Sequence, residues 1–290
     1  MTMEASWQAL HEERAKPFGT LPGLVRLHAR LWPEKAALVQ DAEQVDYATL
    51  DRLVDRAAAA MQRDGIRPGD VIAICGLNSI RYAVAFVAAL RAGAAVAPLA
   101  PLTTPQALGL MIDNCEARIV FADGAGNGVA AIEHASHRPR GVGLDDATSL
   151  RGFDEWLAPE GAVPTPVPAD PEAVFNIIYS SGTTGTPKGI VHTNQLRWPQ
   201  ICSITLSLYQ PDSVTLVSTP LYSNTTLVSF LPALGCGGTV VLMKKFDAAA
   251  YLALAQRHRV TNSMLVPVQY RRLMEHPDFD RHDLPSFRVK

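Results

Sequence analysis

The sequence predicts an α/β protein of two layered subdomains, each a mostly parallel sheet flanked by helices. Three observations carry this reading. Apolar runs of strand length, Val71–Cys75, Ala94–Leu99 and Ile119–Ala122, alternate with longer segments whose apolar residues recur at helical spacing. Turn and cap signals at Gly65, Gly76-Leu77-Asn78-Ser79 and Thr104-Pro105 punctuate the alternation. A Pro-rich stretch from Pro159 to Pro171 can be neither helix nor central strand. It therefore reads as the connection between a first subdomain, 1–165, and a second, 166–290.

Taken in order, residues 1–45 form an entry segment with a short helix around Thr20 to Trp32. From Tyr47, Leu50, Leu53, Val54, Ala57, Ala58 and Met61 recur at helical spacing, with Gly65 placed as the stop. Val71–Cys75 is a buried strand, and the turn after it caps a helix running to Arg91. Ala94–Leu99 is the next strand. Thr104 supplies an N-cap and Pro105 a first helical residue for a helix to Asn114, and Ile119–Ala122 closes the set. The second half opens with the strand Ala173–Tyr179 and continues through strands Val214–Ser218, Thr239–Met243 and Ser263–Val266, with helices between. Leu284 to Lys290 reads as a turn and then a strand, inside which the chain stops.

Directly after the strand ending at Tyr179 comes Y-S-S-G-T-T-G-T-P-K-G, residues 179–189. Gly182, Gly185 and Gly189 let backbone approach a ligand closely, and successive N–H groups can form an anion-binding nest. Ser180, Ser181, Thr183 and Thr184 add hydroxyl donors, and Lys188 a compact positive charge. The combination suits a polyphosphate, hence a nucleoside triphosphate. It is not a Walker loop, because Pro187 precedes the Lys and Gly189 follows it, where that motif needs Gly and Ser or Thr. The plain rival is a flexible Ser/Thr/Gly surface loop; a flexible linker rarely follows a buried strand with so ordered a string.

Composition narrows the rest. The 26 basic and 28 acidic residues give a net charge of −2, without the basic stripe that tracks nucleic acid. Cys75, Cys115, Cys202 and Cys236 stand far apart with no C-x-x-C pair, which argues against a disulfide framework or zinc site and for reduced thiols. The most apolar stretch, Tyr82 to Leu90, lies between Arg81 and Arg91 and falls short of the ~18 residues of a membrane span. The N-terminus lacks a hydrophobic signal core, so the expected location is cytoplasmic. The histidines show no metal-ligand spacing, and no G-x-S-x-G elbow supports hydrolase chemistry.

The 179–189 run resembles the phosphate-loop signature of the adenylate-forming superfamily, which includes acyl-CoA synthetases, aryl-CoA ligases and luciferases. The resemblance extends through Asp46–Ile74, Leu90–Leu99 (L-R-A-G-A-A-V-A-P-L), Thr219–Thr225 (T-P-L-Y-S-N-T), Gly237–Phe246 and Val260–Pro267. It implies an ATP-dependent carboxylic acid–CoA ligase. A carboxylate attacks the α-phosphate of ATP to give an acyl-adenylate and pyrophosphate, and a thiol then displaces AMP. The implied cofactors are ATP, Mg²⁺ and coenzyme A, and the partner is a small fatty or aromatic carboxylic acid. Two alternatives stay open: loading of a carrier protein without CoA, and a non-catalytic nucleotide-binding module.

By the same resemblance Ser180, Ser181, Gly182, Thr183, Thr184, Gly185 and Lys188 bind the nucleotide. Lys188 and Thr184 are the catalytic candidates, and Thr184 the hydroxyl for Mg²⁺. Tyr222, Ser223, Asn224 and Thr225 are the acid-binding candidates, with Leu227 and Val228 as apolar lining. Ser223 stands where many relatives have His, so a charge-bearing group is replaced by a neutral one. The plain alternative for Leu227–Leu234 is an ordinary core helix face. Lys245 matches a position that meets the phosphorylated end of coenzyme A, against the alternative of a solvated surface Lys. His192 is read as structural ahead of a catalytic base. Family members continue past the segment that Lys290 matches, so the resemblance implies a fold truncated before its β-barrel and C-terminal domain. Such a chain is expected to be inactive alone, with an unpaired edge near Phe287.

Overall fold

The computed structural model describes residues 3–180, 188–202 and 208–288. Its first elements are α1 (Met3–Arg14), α2 (Leu21–Leu31), β1 (Ala36–Gln40), β2 (Glu43–Asp46), α3 (Tyr47–Arg63), β3 (Val71–Cys75) and α4 (Ile80–Arg91). Next come β4 (Ala95–Leu99), α5 (Pro105–Asn114), β5 (Ala117–Ala122), α6 (Gly128–His134), β6 (Arg140–Gly143), α7 (Phe153–Trp156), β7 (Val174–Ser180) and β8 (Lys188–Thr193). The chain continues through α8 (Asn194–Cys202), β9 (Val214–Val217), α9 (Asn224–Gly235), β10 (Thr239–Leu242), α10 (Ala248–Arg257), β11 (Asn262–Ser263) and α11 (Pro267–Met274).

Local chemistry sets these boundaries. The Thr20 hydroxyl accepts from Gly23 N at 3.1 Å and starts α2, with Pro22 in the first turn where no N–H is needed. Thr104 and Pro105 start α5 in the same way. The Asp247 carboxylate accepts from Ala250 N at 2.9 Å and starts α10. Beyond α3, Gly65 has φ +95°, a conformation that glycine takes without strain.

Two compact units result. The first comprises Met1–Leu50, Asn78–Ile80 and Trp198–Lys290. Its sheet has the order β11-β9-β10-β1-β2; every neighbouring pair is parallel except the β1–β2 hairpin. Val39, Leu216, Val241 and Met243 form one layer of its core, packed with Tyr251, Leu252 and Leu273 of α10 and α11. α9 is buried from Thr226 to Gly235 except at Val228.

A polar cluster lies in the same unit. His28 of α2 is fully buried, and its Nε2 lies 3.1 Å from Gly235 O, which defines Nε2 as the protonated nitrogen. Its ring stacks on Trp32, and Tyr47 donates to Gly238 O at 2.7 Å. The Lys35 ammonium donates to the carbonyls of Pro211 and Gly237. Burial, reinforced by the charges of Lys35 and Arg14 and opposed by the bond to Gly235, pushes the His28 pKa down to about 3. His28 is therefore neutral at ordinary pH.

The second unit comprises Asp51–Leu77 and Arg81–Arg197. Its sheet has the order β6-β5-β3-β4-β7-β8, parallel except for β8, which returns antiparallel to β7. Small residues allow close helix–sheet packing in its core: Ala73, Ala97, Ala117, Ala131 and Ala135 sit among Leu99, Leu108, Ile112 and Val120. Arg91, only 7% exposed, pairs with Asp51 at 2.6 Å and Asp55 at 2.9 Å.

Several expectations need correction. The sheets do not follow a cut at 165/166. β7 and β8, whose residues were expected to open the second subdomain, extend the sheet of β3, β4 and β5, while β1 pairs with β10, from beyond residue 213, and carries β2 on its other side. The reason lies in the Pro-rich stretch, which runs alongside α3 rather than leaving its unit. Arg56 donates to Ala158 O at 2.8 Å, and Gln62 both donates to Thr165 O and accepts from Thr165 N, at 2.9 and 2.8 Å. Residues 284–288 form no strand; Arg288 N makes one backbone bond, to Thr261 O at 2.7 Å, and its guanidinium pairs with Asp212. All four cysteines are free and buried. Among the described residues, no helix is long and apolar enough to cross a membrane.

Candidate functional site

In the second unit, β7 and β8 build the base of the hydroxyl-rich run. Their register pairs Tyr179 with Gly189 and Ser180 with Lys188. Ser180 and Lys188 are thus brought face to face across the hairpin, both exposed, where the connecting residues begin and end. Ser181, Gly182, Thr183, Thr184 and Gly185 lie outside the described residues, and with them the Mg²⁺ assignment at Thr184. The base thus carries a hydroxyl-bearing and an ammonium-bearing residue at paired register positions, both exposed. A Cβ at Gly189 would lie 2.9 Å from Ile177 Cγ2 and 3.4 Å from the Tyr179 ring, so a side chain here would force Ile177 to shift.

Behind this base the hairpin is anchored. The Tyr179 hydroxyl lies 3.0 Å from Met111 O and 2.6 Å from Asn114 Oδ1, at the C-terminal end of α5. One phenol proton cannot serve both acceptors; it goes to Met111 O when the Asn114 amide is turned to donate to the phenol oxygen. Burial holds the Tyr179 pKa above the ordinary tyrosine value and lifts the nearby Cys115 thiol to about 11. Deeper in the hairpin, Asn176 pairs in register with His192, and the Arg197 Nε donates to Asn176 Oδ1 at 2.9 Å. Burial pushes Arg197 down to about 10, and burial followed by the Arg197 charge lowers His192. His192 is held in a strand, its protonation disfavoured. Asn176 and Arg197, both fully buried, were not singled out by sequence reasoning. An Asn inside an otherwise apolar strand run was the available signal.

The remaining candidates belong to the first unit. β9, β10 and β11 are parallel, so the loops leaving their carboxyl ends emerge at one edge of the sheet, the edge at which open α/β sheets bind ligands. After β9 comes Ser218–Ser223, after β10 the turn at Lys244 and Lys245, and after β11 the segment into α11. Tyr222 and Ser223 are half-buried, and Asn224 and Thr225 are exposed in the first turn of α9. Ser223 is the α9 N-cap residue, yet its hydroxyl makes no cap bond; its carbonyl accepts from Thr226 N and Leu227 N. Leu227 is fully buried and is a core residue, whereas Val228 is half-buried. Lys245 is exposed.

Asn78, which the sequence marked only as part of a turn, organises this edge. Its Nδ2 donates to Thr219 O at 2.9 Å and Met243 O at 3.1 Å, and its Oδ1 accepts from Leu221 N at 2.8 Å. The Thr226 hydroxyl adds a bond to the Thr219 hydroxyl at 2.8 Å.

These two sheets, with a hydroxyl-rich hairpin on one and a loop-bearing carboxyl edge on the other, are the architecture of the N-terminal domains of adenylate-forming enzymes. The N-terminal domain of FACL13 from Mycobacterium tuberculosis superposes with a TM-score of 0.80 at 24% identity, covering 92% of this chain and 68% of that one. A benzoate CoA ligase from Burkholderia xenovorans LB400 gives 0.78 at 26% identity, covering 90% and 53%. The chain belongs to the AMP-binding enzyme family, which it matches over residues 25–290. Among curated relatives, the indoleacetate–CoA ligase of Aromatoleum aromaticum is 31% identical over 90% of this chain and 52% of its own length. The feruloyl-CoA synthase of an Amycolatopsis species is 31% identical, over 90% and 51% respectively. The chain therefore spans about half the length of these relatives.

Proposed function

We propose that this chain supplies the nucleotide-gripping and acid-binding parts of an AMP-forming carboxylic acid–CoA ligase whose acid is aromatic. The observation that carries the reading is the register pair Ser180–Lys188 at the root of the hydroxyl-rich run, on a hairpin anchored by Tyr179. The aromatic class is favoured by the relatives' names: indoleacetate, ferulate and benzoate ligases all take aryl-bearing acids. Ser223, half-buried and with its hydroxyl not engaged in capping α9, offers the acid's carboxylate a hydrogen-bond donor without a charge. The four free, buried thiols favour the cytoplasm as the compartment.

The chemistry asks little covalent work of the protein. A carboxylate oxygen bonds to the α-phosphorus, and the bond from that phosphorus to the bridging oxygen breaks, releasing pyrophosphate. A thiol sulfur then bonds to the acyl carbon, its proton is lost, and AMP leaves with the electrons of the acyl–oxygen bond. Lys188 offers a fixed positive charge to the leaving pyrophosphate, and Ser180 a hydroxyl donor beside it. Mg²⁺, when bound, neutralises phosphate charge; Thr184 is the hydroxyl assigned to it. Tyr222 to Thr225 position the acid, and Lys245 offers a cation to the phosphorylated end of coenzyme A.

The test is ATP–pyrophosphate exchange by the full-length gene product across a panel of aromatic and fatty acids. Exchange is expected with aryl acids, and Lys188→Ala is expected to lower it about 10²-fold, the scale of removing one charge-stabilising group. The melting temperature should stay unchanged. Exchange with fatty acids alone would remove the aromatic assignment, and exchange with none would remove the ligase assignment. AMP release that requires a carrier protein instead of CoA would move the acceptor to the carrier.

A further inference from the structure

We propose that Asn78 is a positioning residue that couples the two substrate-side loops of the first unit: the acid-binding segment Thr219–Thr225 and the turn bearing Lys245. The proposal rests on the ligase reading for its kinetic consequences, and on the hydrogen bonds alone for its structural one.

Asn78 is 3% exposed, and both of its amide hydrogens are used. Both hydrogens go to carbonyls, Thr219 O and Met243 O, and the oxygen takes the Leu221 N–H. Buried and with both hydrogens committed, Asn78 acts through what it holds. Two of its bonds bracket Pro220, which has no N–H of its own and cannot be fixed by a backbone ladder. The third holds the carbonyl directly before Lys244 and Lys245. Met243 N meanwhile donates to Val217 O at 2.9 Å, so the residue that Asn78 grips is also the last step of the β9–β10 ladder. Gln40, at the end of β1, fixes Asn78 in turn: it donates to Asn78 O at 3.0 Å and accepts from Ile80 N at 3.2 Å.

The pattern of two donors and one acceptor is specific to a carboxamide at this length. Aspartate keeps the acceptor for Leu221 but replaces the donating NH₂ group with one oxygen facing two carbonyls, and glutamine is one methylene too long. The Thr226–Thr219 hydroxyl bond holds the acid-side loop as well, but it does not reach Met243. One residue therefore reaches both loops and another reaches only one, which makes the coupling separable.

The experiment uses the full-length gene product with Asn78→Ala, Asn78→Asp, Thr226→Val and Lys245→Ala. Acid-dependent pyrophosphate exchange and CoA-dependent AMP release are read separately, each normalised to the burst of acyl-adenylate so that unfolded enzyme is not counted. Asn78→Ala and Asn78→Asp are expected to raise KM for acid and KM for CoA about tenfold each, the scale of a sub-ångström loss of positioning. KM for ATP should stay unchanged. Thr226→Val should raise only KM for acid. In a Lys245→Ala background, the effect of Asn78→Ala on KM for CoA should disappear. An equal fall in every partial reaction, an unchanged KM for CoA, or an additive double mutant would overturn the proposal. Hydrogen exchange stands apart from any activity: the Leu221 amide should be protected in wild type and lose at least tenfold protection in Asn78→Ala. If wild type shows no acid-dependent exchange while Leu221 behaves in this way, the ligase reading fails and the clamp stands. An unprotected wild-type Leu221 amide would overturn the clamp itself.

Discussion

Replacing His28 by glutamine removes a buried titrating group while keeping a donor for the Gly235 carbonyl. In the folded protein His28 takes up a proton only near pH 3, whereas in the unfolded chain it does so near 6.5. The folded pKa is depressed, so stability is complete above 6.5 and is lost as pH falls, because the unfolded state then binds the extra proton. The loss is about 1.4 kcal/mol per pH unit, which gives roughly 2 kcal/mol at pH 5 from this side chain alone. Urea unfolding of wild type and His28→Gln between pH 8 and pH 5, at constant ionic strength, measures it. His192 and His258 are depressed as well, but they are present in both proteins and cancel in the difference. The variant starts lower at pH 8, having lost the stacking of His28 on Trp32. The gap between the curves should close by roughly 2 kcal/mol on reaching pH 5. Parallel curves, or a gap that widens as the pH falls, would refute a neutral buried His28.

Arg91→Ala leaves Asp51 and Asp55 facing each other without their shared cation and should cost about 3 kcal/mol in urea unfolding. Arg91→Met combined with Asp51→Asn and Asp55→Asn should recover most of that, and a single variant as stable as wild type would show the cluster to be inert. Tyr179→Phe removes the hydroxyl between Met111 and Asn114 and should cost about 1 kcal/mol. It should raise KM for ATP more than KM for the acid; equal effects would mean that Tyr179 does not steady the nucleotide hairpin.

Much of this fold was legible because local rules and tertiary packing agree. The caps at Thr20 and Thr104, the stop at Gly65 and the strand Val71–Cys75 fall where the sequence puts them. Partnership between strands was less legible, since an apolar run such as Val174–Ser180 carries no mark of which neighbour it bonds. Ala36–Asp46 escaped notice as a hairpin because its two strands are short and only one residue of Glu43–Asp46, Val45, is fully buried. The candidate site divides in the same way. Lys188 and Ser180 stand out by residue type and order, and Leu227, read as either pocket lining or core face, is fully buried. Asn78, Asn176 and Arg197 were missed because their roles come from bonds to residues 21 to 165 positions away. No reading of neighbours along the chain could supply such bonds.

The sheet containing β1 and β2 cannot close until Thr239–Leu242 exists, because β1 bonds to β10 on its other side. During synthesis on the ribosome, residues 51–197 emerge as a nearly continuous stretch holding every strand of their own sheet, and can settle first. The opening fifty residues must wait, with the apolar Ala37, Leu38 and Val39 unsheltered, while some two hundred more are translated. Slow codons or a stalled nascent chain near residue 200 would prolong that wait, and the exposed apolar surface would lie at the N-terminus rather than in the middle.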